Sequence, residues 1–413
     1  MQDNTYTRMK RALEYLAVIT LAAITLSCKR DHTEINESDR NVLILYSAGF
    51  NNIHKYLSND IERLKEGYVP TKGLGKDVIL VVTKPVNGST SVQTAPEIIQ
   101  LYTKGKEVIA ETVKTYEVGD ILASASMMHR ILTDILTMYP ARNYGMIFSS
   151  HATGWLPKGY YSTSDAIDLD FSFRPSTLGQ EDNNGASEEI ELGDMVTAIP
   201  MHLDYLVIDA CLSGCIEVAY ALKGNTDYIA FSPAEVLTNG YDYTKIAQRL
   251  LKEKSPEAVC SDILDYYSSQ SGIYRSSTIS LVKTSELRNL AAVCKPLFEK
   301  YRAQIAAIDY TSSGVQTYFG GTKHWFFDLE DILLKAGITE AEKATLEEAL
   351  NRCIVYKGTT GQYYSSSDSR THQIVTYSGV SMYLPSAGSE ILDNFYRLLT
   401  WNYDTHLVEY LPE

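Results

Sequence analysis

The fold is decided by LDYLVIDAC, residues 203–211, in which an apolar run leads directly into Asp209 and Cys211. A second stretch of the same kind, YGMIFSSH at residues 144–151, runs from apolar residues into His151. Each run is continuous rather than alternating, which is typical of strands that are covered on both faces in a parallel sheet. The two stretches therefore predict two buried strands, each ending close to a side chain of a catalytic type.

Similar apolar runs recur along the chain and alternate with helical patterns. The clearest helical pattern extends from Asp120, the predicted N-cap, to Met138. This alternation predicts an α/β fold over residues 41–283, with a mostly parallel sheet and helices on both faces. Residues 284–413 predict a C-terminal α+β extension packed on that domain, with one long helix, a helix pair broken at Gly337 and short strands. The additional apolar runs lie at residues 41–46, 77–82, 228–231 and 278–282.

Residues 1–28 have the pattern of a signal peptide. Basic residues precede an apolar stretch at 16–26, which is shorter than the roughly 20 residues that a transmembrane helix needs. The stretch ends at Cys28 and resembles a bacterial lipobox, although Thr25 stands where Leu is usual. We expect an exported lipoprotein, periplasmic or at the outer membrane or cell surface, with a lipid anchor on Cys28 and a polar tether at 29–40. An ordinary signal peptide with an incidental cysteine is the alternative.

The composition excludes several classes of protein. The chain has 413 residues, of which 45% are hydrophobic and 21% charged, as expected for a folded protein. Its net charge of −14 argues against nucleic acid as a partner, because phosphate binding requires clustered basic residues. The chain has 30 Tyr and 10 Phe, which suggests a polar exposed surface or a large polar cleft. The six Cys show no zinc-ligand spacing, and no HExxH, GxSxG or phosphate-binding glycine loop occurs.

The candidate chemistry lies where the two quoted strands end. The carboxyl ends of parallel strands meet at one edge of a sheet, so His151 and Cys211 come close together if their strands are adjacent. A helix predicted over residues 212–222 would place Cys211 at its N-terminus, which favours the thiolate. A neighbouring histidine can then exchange a proton with the thiol. The alternative is a buried structural thiol and an ordinary loop histidine.

The segments around His151 and Cys211 resemble those of the clostripain-type cysteine peptidases. That family shares the caspase-like fold with gingipains, legumains and separases. The resemblance extends over about residues 41–400 and implies a caspase-like sheet. Further segments that match the family in the same order are residues 231–235, 327–329 and 378–385.

The resemblance also implies roles for individual residues. Cys211 would be the nucleophile and His151 the acid and base. Asp209 would lie at the floor of a P1 pocket for Arg or Lys, with Glu235 either a second pocket carboxylate or an exposed loop acid. The oxyanion hole would use the backbone N–H groups of Cys211 and Ala152. The family usually has Gly after the histidine, so Ala152 would be strained if that position has a positive φ.

Residues 156–192 form a long polar segment between the two catalytic strands. Relatives are made as zymogens that cleave themselves in such a linker after a basic residue, which makes Lys158 and Arg174 candidate processing sites. The acidic residues of this segment could hold Ca²⁺, although no EF-hand spacing is present and a solvated loop is the simpler interpretation. No cofactor is expected to be required. The acidic and amide residues in question are Asp165, Asp168, Asp170, Asp182, Asn183 and Asn184.

Two functions of different classes follow from these patterns. The first is a cysteine endopeptidase that cleaves protein or peptide substrates after Arg or Lys. The second is a catalytically silent caspase-like lipoprotein that binds peptides or surface partners, which the change to Ala152 could favour.

Overall fold

The strands follow the apolar runs of the sequence. The computed structural model describes residues 39–73, 75–160, 178–183, 186–320 and 324–409. The strands in chain order are β1 (Asn41–Ser47), β2 (Asp77–Thr83), β3 (Glu97–Lys104), β4 (Glu107–Thr115), β5 (Asn143–Ser149), β6 (Leu178–Asn183), β7 (Ala186–Ile190), β8 (Tyr205–Asp209), β9 (Tyr228–Phe231), β10 (Thr278–Lys283), β11 (Phe327–Asp328), β12 (Ile354–Thr359), β13 (Gln362–Ser365), β14 (Arg370–Gln373) and β15 (Ser381–Met382).

Nine of these strands form one sheet in the order β12-β10-β9-β8-β5-β1-β2-β3-β4. The five central strands, β9, β8, β5, β1 and β2, are parallel. Antiparallel strands complete both edges, with β3 and β4 on one side and β10 and β12 on the other. The predicted α/β fold with a mostly parallel sheet is confirmed. Strand β12 follows residue 283, so the C-terminal part of the chain supplies one edge of this sheet.

Helices cover both faces of the sheet. Side chains of the central strands alternate between two hydrophobic cores, since Ile44 and Ile208 enter one core while Leu43 and Val207 enter the other. The second, smaller core lies under α1, α5 and α6. The helices in chain order are α1 (His54–Glu66), α2 (Ala125–Met138), α3 (Leu192–Ala198), α4 (Ile216–Leu222), α5 (Tyr243–Ala247), α6 (Pro256–Ser268), α7 (Leu287–Ala306), α8 (Leu329–Lys335), α9 (Glu340–Cys353), α10 (Glu390–Tyr396) and α11 (Thr400–Thr405).

Two sequence predictions about local structure need correction. Helix α2 begins at Ala125 rather than at Asp120, because Ser124 caps it and its hydroxyl accepts a hydrogen bond of 3.3 Å from the Met127 N–H. The segment 156–192, expected to be a polar loop, contains the hairpin β6–β7 and ends at Leu192, the first residue of α3.

The N-terminal predictions fall on residues 1–38, which lie outside the described residues, and they stay predictions. They include the signal peptide, the lipobox and the lipid on Cys28. Within the described ranges, no helix combines the length and the apolar character needed to cross a membrane. The described cysteines are free and buried: Cys211, Cys215, Cys260, Cys294 and Cys353.

Candidate active site

The strands β5 and β8 are neighbours, and their last residues, Ser149 and Asp209, lie opposite each other in register. His151 and Cys211 each follow one of these strands by two residues. The structure brings both side chains to one cleft at the carboxyl edge of the sheet. Helix α1 and the segment 236–240 form the other walls of this cleft.

Cys211 lies in a sharp turn rather than at the start of a helix. The next residue, Leu212, has a φ of 56°, and its N–H donates a hydrogen bond of 3.1 Å to the Ala234 carbonyl. Helix α4 starts only at Ile216, so the predicted helix over 212–222 is wrong in its first residues. A stabilising helix N-terminus is therefore not available to the Cys211 thiolate.

The sulfur of Cys211 is well shielded from solvent. Its side chain is 8% exposed, and Sγ lies 3.4 Å from the backbone nitrogen of Val236. Burial, together with the nearby carboxylate of Glu235, raises the pKa of Cys211 to about 12. At neutral pH this cysteine is therefore a neutral thiol.

His151 is held from two sides. Its Nε2 lies 2.8 Å from Oδ1 of Asn52, in the loop after β1. Its carbonyl accepts a hydrogen bond of 2.9 Å from the Gly179 N–H of β6. Burial lowers the pKa of His151 to about 4, so the ring is neutral. Because an amide oxygen only accepts, Nε2 carries the proton and Nδ1 keeps its lone pair.

The loops after β5 and β8 pass directly against each other. Gly154 has a φ of 62°, and a Cβ there would lie 2.5 Å from the Leu212 carbonyl oxygen and 3.0 Å from Cys215 Sγ. Ala152 is buried, and it is not among the described non-glycine residues with positive φ. Ala152 thus keeps its backbone N–H without the strain that a left-handed conformation would impose.

Asp209 forms the floor of the cleft and is 6% exposed. Its Oδ2 accepts a hydrogen bond of 2.7 Å from the Tyr243 hydroxyl, and burial raises its pKa to about 6. Two more buried tyrosines support this region, since Tyr241 donates to the Ile208 carbonyl and Tyr267 to the Gly240 carbonyl. Around this cleft, therefore, the tyrosines are internal braces, whereas others such as Tyr274 and Tyr403 are exposed.

A second carboxylate of the cleft, Asp60, was missed by the sequence analysis. Asp60 lies on α1 and is 3% exposed. Burial and the charge of Asp209 raise its pKa to about 8. The signal that could have found it is its position on the buried face of an amphipathic helix, at the spacing set by Leu57 and Leu64.

Comparison with known proteins decides the family. The sequence pattern of the Clostripain family matches residues 45–410, which is most of the chain. The chain belongs to the clostripain family. This membership confirms the resemblance seen around His151 and Cys211.

Individual clostripain-family relatives agree with this assignment. An inactive zymogen protease of the family from Parabacteroides distasonis is 28% identical, with a TM-score of 0.75 over 89% of this chain and 98% of its own. A secreted cysteine protease of the family from Bacteroides thetaiotaomicron, iotapain, is 25% identical, with a TM-score of 0.76 over 89% of this chain and 99% of its own. Clostripain of Hathewaya histolytica is 25% identical over an alignment of 234 residues that covers 52% of this chain and 43% of clostripain. The chain thus spans less than half the length of that curated relative.

Glu235 does not occupy the position that the family resemblance suggested. It is 7% exposed, and its carboxylate accepts hydrogen bonds of 2.6 Å from the Ser365 hydroxyl and 3.0 Å from the Ser366 N–H. It is absent from the described lining of the cleft. Glu235 is therefore not an exposed loop acid: its carboxylate anchors the end of β13, and its charge still acts on the Cys211 thiol.

The candidate processing sites are only partly within the described residues. Lys158 is exposed, pairs with Glu188 at 3.3 Å, and its N–H donates to Glu191. Arg174 lies outside the described residues. Both positions stay predictions.

The predicted calcium site also falls largely outside the described residues, which exclude Asp165, Asp168, Asp170 and Asn184. Asp182 is described, and its Oδ2 accepts a hydrogen bond of 3.0 Å from Thr90. Over the part of the chain that the structure describes, no three His, Cys, Asp or Glu side chains are grouped so that they could hold a metal ion.

Proposed function

We propose that the protein is a cysteine endopeptidase that cleaves peptide bonds after Arg or Lys. The observation that carries this proposal is the cleft in which Cys211 and His151 lie beside a buried carboxylate, Asp209. A thiol and an imidazole at one edge of a parallel sheet supply the nucleophile and the acid–base group of thiol peptidases. Membership of the clostripain family and the similarity to clostripain itself support the same conclusion.

The proposed mechanism starts from a neutral pair. His151 Nδ1 takes the thiol proton as Cys211 Sγ attacks the scissile carbonyl carbon. The resulting oxyanion accepts hydrogen bonds from the backbone N–H groups of Cys211 and Ala152. The imidazolium then gives its proton to the leaving amine, and a thioester remains on Cys211. Water hydrolyses this thioester with His151 acting again as the base, which restores the thiol.

Specificity in this proposal comes from Asp209. A carboxylate with little surrounding water forms a strong charge-assisted hydrogen bond with a guanidinium or an ammonium group. Tyr243 fixes one oxygen of this carboxylate, and Asp209 lines the cleft beside the thiol. A neutral or acidic P1 side chain would leave this charge without a partner.

A catalytically silent binding protein is the competing proposal. The reason for it was the alanine after the catalytic histidine. The backbone at Ala152 avoids the left-handed region, so this reason loses its physical basis and the enzymatic proposal is favoured.

A peptide panel tests the proposal. We expect the wild type to cleave fluorogenic peptides with Arg or Lys at P1 and to spare those with Asp or Asn. Replacing the nucleophile, Cys211→Ala, should lower kcat/KM by about 10⁴-fold or more. The control Cys215→Ala removes a buried thiol four residues away and should retain turnover. Absence of turnover on every peptide, with or without Ca²⁺ and after trial cleavage of the 156–192 segment, would contradict the peptidase proposal.

We also propose that the protein is exported, anchored through a lipid on Cys28, and processed by itself after Lys158 or Arg174. The secreted and zymogen relatives support export and processing. Purified protein should split slowly into two associated pieces, and Cys211→Ala should stay intact. Mass spectrometry of the new termini, compared between Lys158→Gln and Arg174→Gln, would identify the site. Cleavage that persists in Cys211→Ala without external proteases would refute self-processing.

No cofactor is required in this proposal, and Ca²⁺ could act only through the 156–192 segment. Activity after exhaustive treatment with a calcium chelator, compared with activity after Ca²⁺ is added back, measures that dependence. Equal rates would mean that the acidic segment is a solvated loop.

A further inference from the structure

Asp60 is a buried acid without the partners that buried acids normally have. The residue is 3% exposed, and among the described residues no hydrogen bond to its carboxylate contributes to its titration. The nearest cation, Arg63, lies one helical turn away with Nη1 at 3.6 Å from Oδ1, beyond hydrogen-bond distance. A charged group in this environment is costly unless a proton or a cation compensates it.

The guanidinium of Arg63 also interacts with groups other than Asp60. Its Nη1 donates a hydrogen bond of 3.1 Å to the Asn239 carbonyl, and its Nη2 lies 3.5 Å from Oδ1 of Asp242. One guanidinium therefore faces two acids and a carbonyl while Asp209 adds a third acid nearby. Lys245 also pairs with Asp242, at 3.2 Å. Among the described ion pairs, however, Asp60 has only the shared Arg63 and Asp209 has no cation, so these two acids are left short of positive charge.

Asp60 carries this unneutralised negative charge into the cleft where the substrate would bind. Asp60 and Asp209 line the same cleft as Cys211, although they come from a helix and a strand 149 positions apart in the chain. Gly240 allows the approach, since a Cβ there would lie 3.0 Å from Asp60 Oδ2. The backbone at Gly240 therefore packs closely beside the Asp60 carboxylate, which lines the same cleft as the thiol and Asp209.

We propose that Asp60 is the second carboxylate of the P1 pocket and a specificity-determining residue: the guanidinium or ammonium group of the substrate pairs with both Asp60 and Asp209. This inference rests on the proposed function, which requires only Asp209. It assigns to α1 a role that the sequence resemblance gave to Glu235.

The titration behaviour agrees with this geometry. Burial and Asp209 raise the pKa of Asp60 to about 8, while burial raises that of Asp209 to about 6, so the pair carries a proton at neutral pH. A bound cation favours the ionised forms, so basic ligands should bind more tightly as pH rises from about 6 to about 8. The other charged or titratable groups that face Asp60 are Arg63 on α1, Asp242 and Tyr243 at the start of α5, and Tyr267 on α6.

A pair of substrates matched in shape but not in charge tests the proposal. The peptides share P4 to P2 and carry Arg or citrulline at P1, which differ in charge but little in shape. We expect Asp60→Asn to lower kcat/KM for the Arg peptide by about 10- to 100-fold and to leave slow citrulline turnover within about 2-fold. The matched control Glu62→Gln removes an exposed acid of α1 that pairs with Lys65 and should leave the Arg-to-citrulline ratio unchanged. An unchanged ratio in Asp60→Asn, or an equal loss on both peptides, would overturn the proposal.

A binding measurement separates this inference from the peptidase proposal. Agmatine binding to the Cys211→Ala protein is followed by calorimetry at pH 7 in two buffers of different ionisation enthalpy. We expect proton release on binding, and its loss when Asp60→Asn is added. If the wild type cleaves no peptide, the proposed function fails, yet this measurement still decides the role of Asp60. Agmatine binding without proton release, or with release that persists in the Asp60→Asn protein, would overturn the assignment.

Discussion

Two buried aspartates, Asp328 and Asp60, differ in the hydrogen-bond donors that surround their carboxylates. Asp328, at the N-cap of α8, is fully buried and accepts hydrogen bonds from the Tyr318 hydroxyl, the Asp331 N–H, and both the N–H and the hydroxyl of Ser378. Asp60 is almost as buried but has no such donors among the described residues. Asp328 ties together segments 50 residues apart, whereas Asp60 faces an opening.

The difference teaches that burial alone does not identify a functional acid. Donors satisfy a carboxylate that serves the fold, and four donors offset the cost of burying Asp328. A carboxylate that lacks them stores an unfavourable interaction, which a ligand can relieve. Glu235, with Ser365 and Ser366 as donors, belongs to the first kind.

The largest effect is expected at the floor of the cleft. Asp209→Asn should lower kcat/KM for peptides with Arg at P1 by about 100-fold or more, because the cation loses its ionised partner. Glu235→Gln, in a buried acid that is already satisfied, should leave the Arg-to-citrulline ratio unchanged. Steady-state kinetics on both variants measure this contrast. A similar loss of selectivity in both would break the distinction between the two kinds of acid.

The second-largest effect is on stability, and there the structural acid, Asp328, matters more than the acid of the cleft, Asp60. Asp328→Ala should lower the free energy of unfolding by about 3 kcal/mol or more, because several buried donors lose their acceptor. Denaturant unfolding of Asp328→Ala beside Asp60→Asn measures the difference. If Asp60→Asn were the more destabilised variant, Asp60 would be a structural acid.

The third effect concerns the hydrogen bond with Asn52 that orients the ring of His151. Asn52→Ala should lower kcat about 10-fold with little change in KM, because the His151 ring loses the acceptor that fixes it. Asn52→Asp should restore part of kcat, and its carboxylate should raise the pKa of His151 and shift the acidic limb of the pH–rate profile upward. Asn59→Ala, an exposed asparagine on α1, is the matched control. Unchanged kcat in Asn52→Ala would mean that this contact does not position the ring.

The smallest effect is a pH-dependent gain in stability. In the folded protein the pKa of Asp60 is about 8, against an ordinary value near 3.8, so between these pH values the folded state holds a proton that the unfolded state releases. The contribution of Asp60 to stability therefore falls as pH rises toward 8. Asp60→Asn should melt about 2 °C higher than the wild type at pH 8, with a smaller difference at pH 5. Melting curves at both pH values check this, and a larger gain at pH 5 would contradict the sign.

Much of the site could be predicted from the sequence because the catalytic residues directly follow strands. Continuous apolar runs indicate buried parallel strands, and parallel strands end at one edge, so His151 and Cys211 could be placed together. The residues that line the pocket were harder to predict from the sequence. Asp60 lies in the cleft because α1 packs on the sheet. The carboxylate of Glu235 is bound by donors of the hairpin β13–β14, which lie far along the chain.

The sequence by itself determined the α/β architecture, the family and the edge of the sheet that carries the chemistry. These features depend on local periodicity and on residues adjacent in the chain. Only the tertiary structure decided which acids face the cleft, that Cys211 precedes a left-handed turn rather than a helix, and that β6 holds the His151 loop. The physical reason is that the partner of a buried charge is chosen by three-dimensional packing, and that packing joins residues that no local pattern relates.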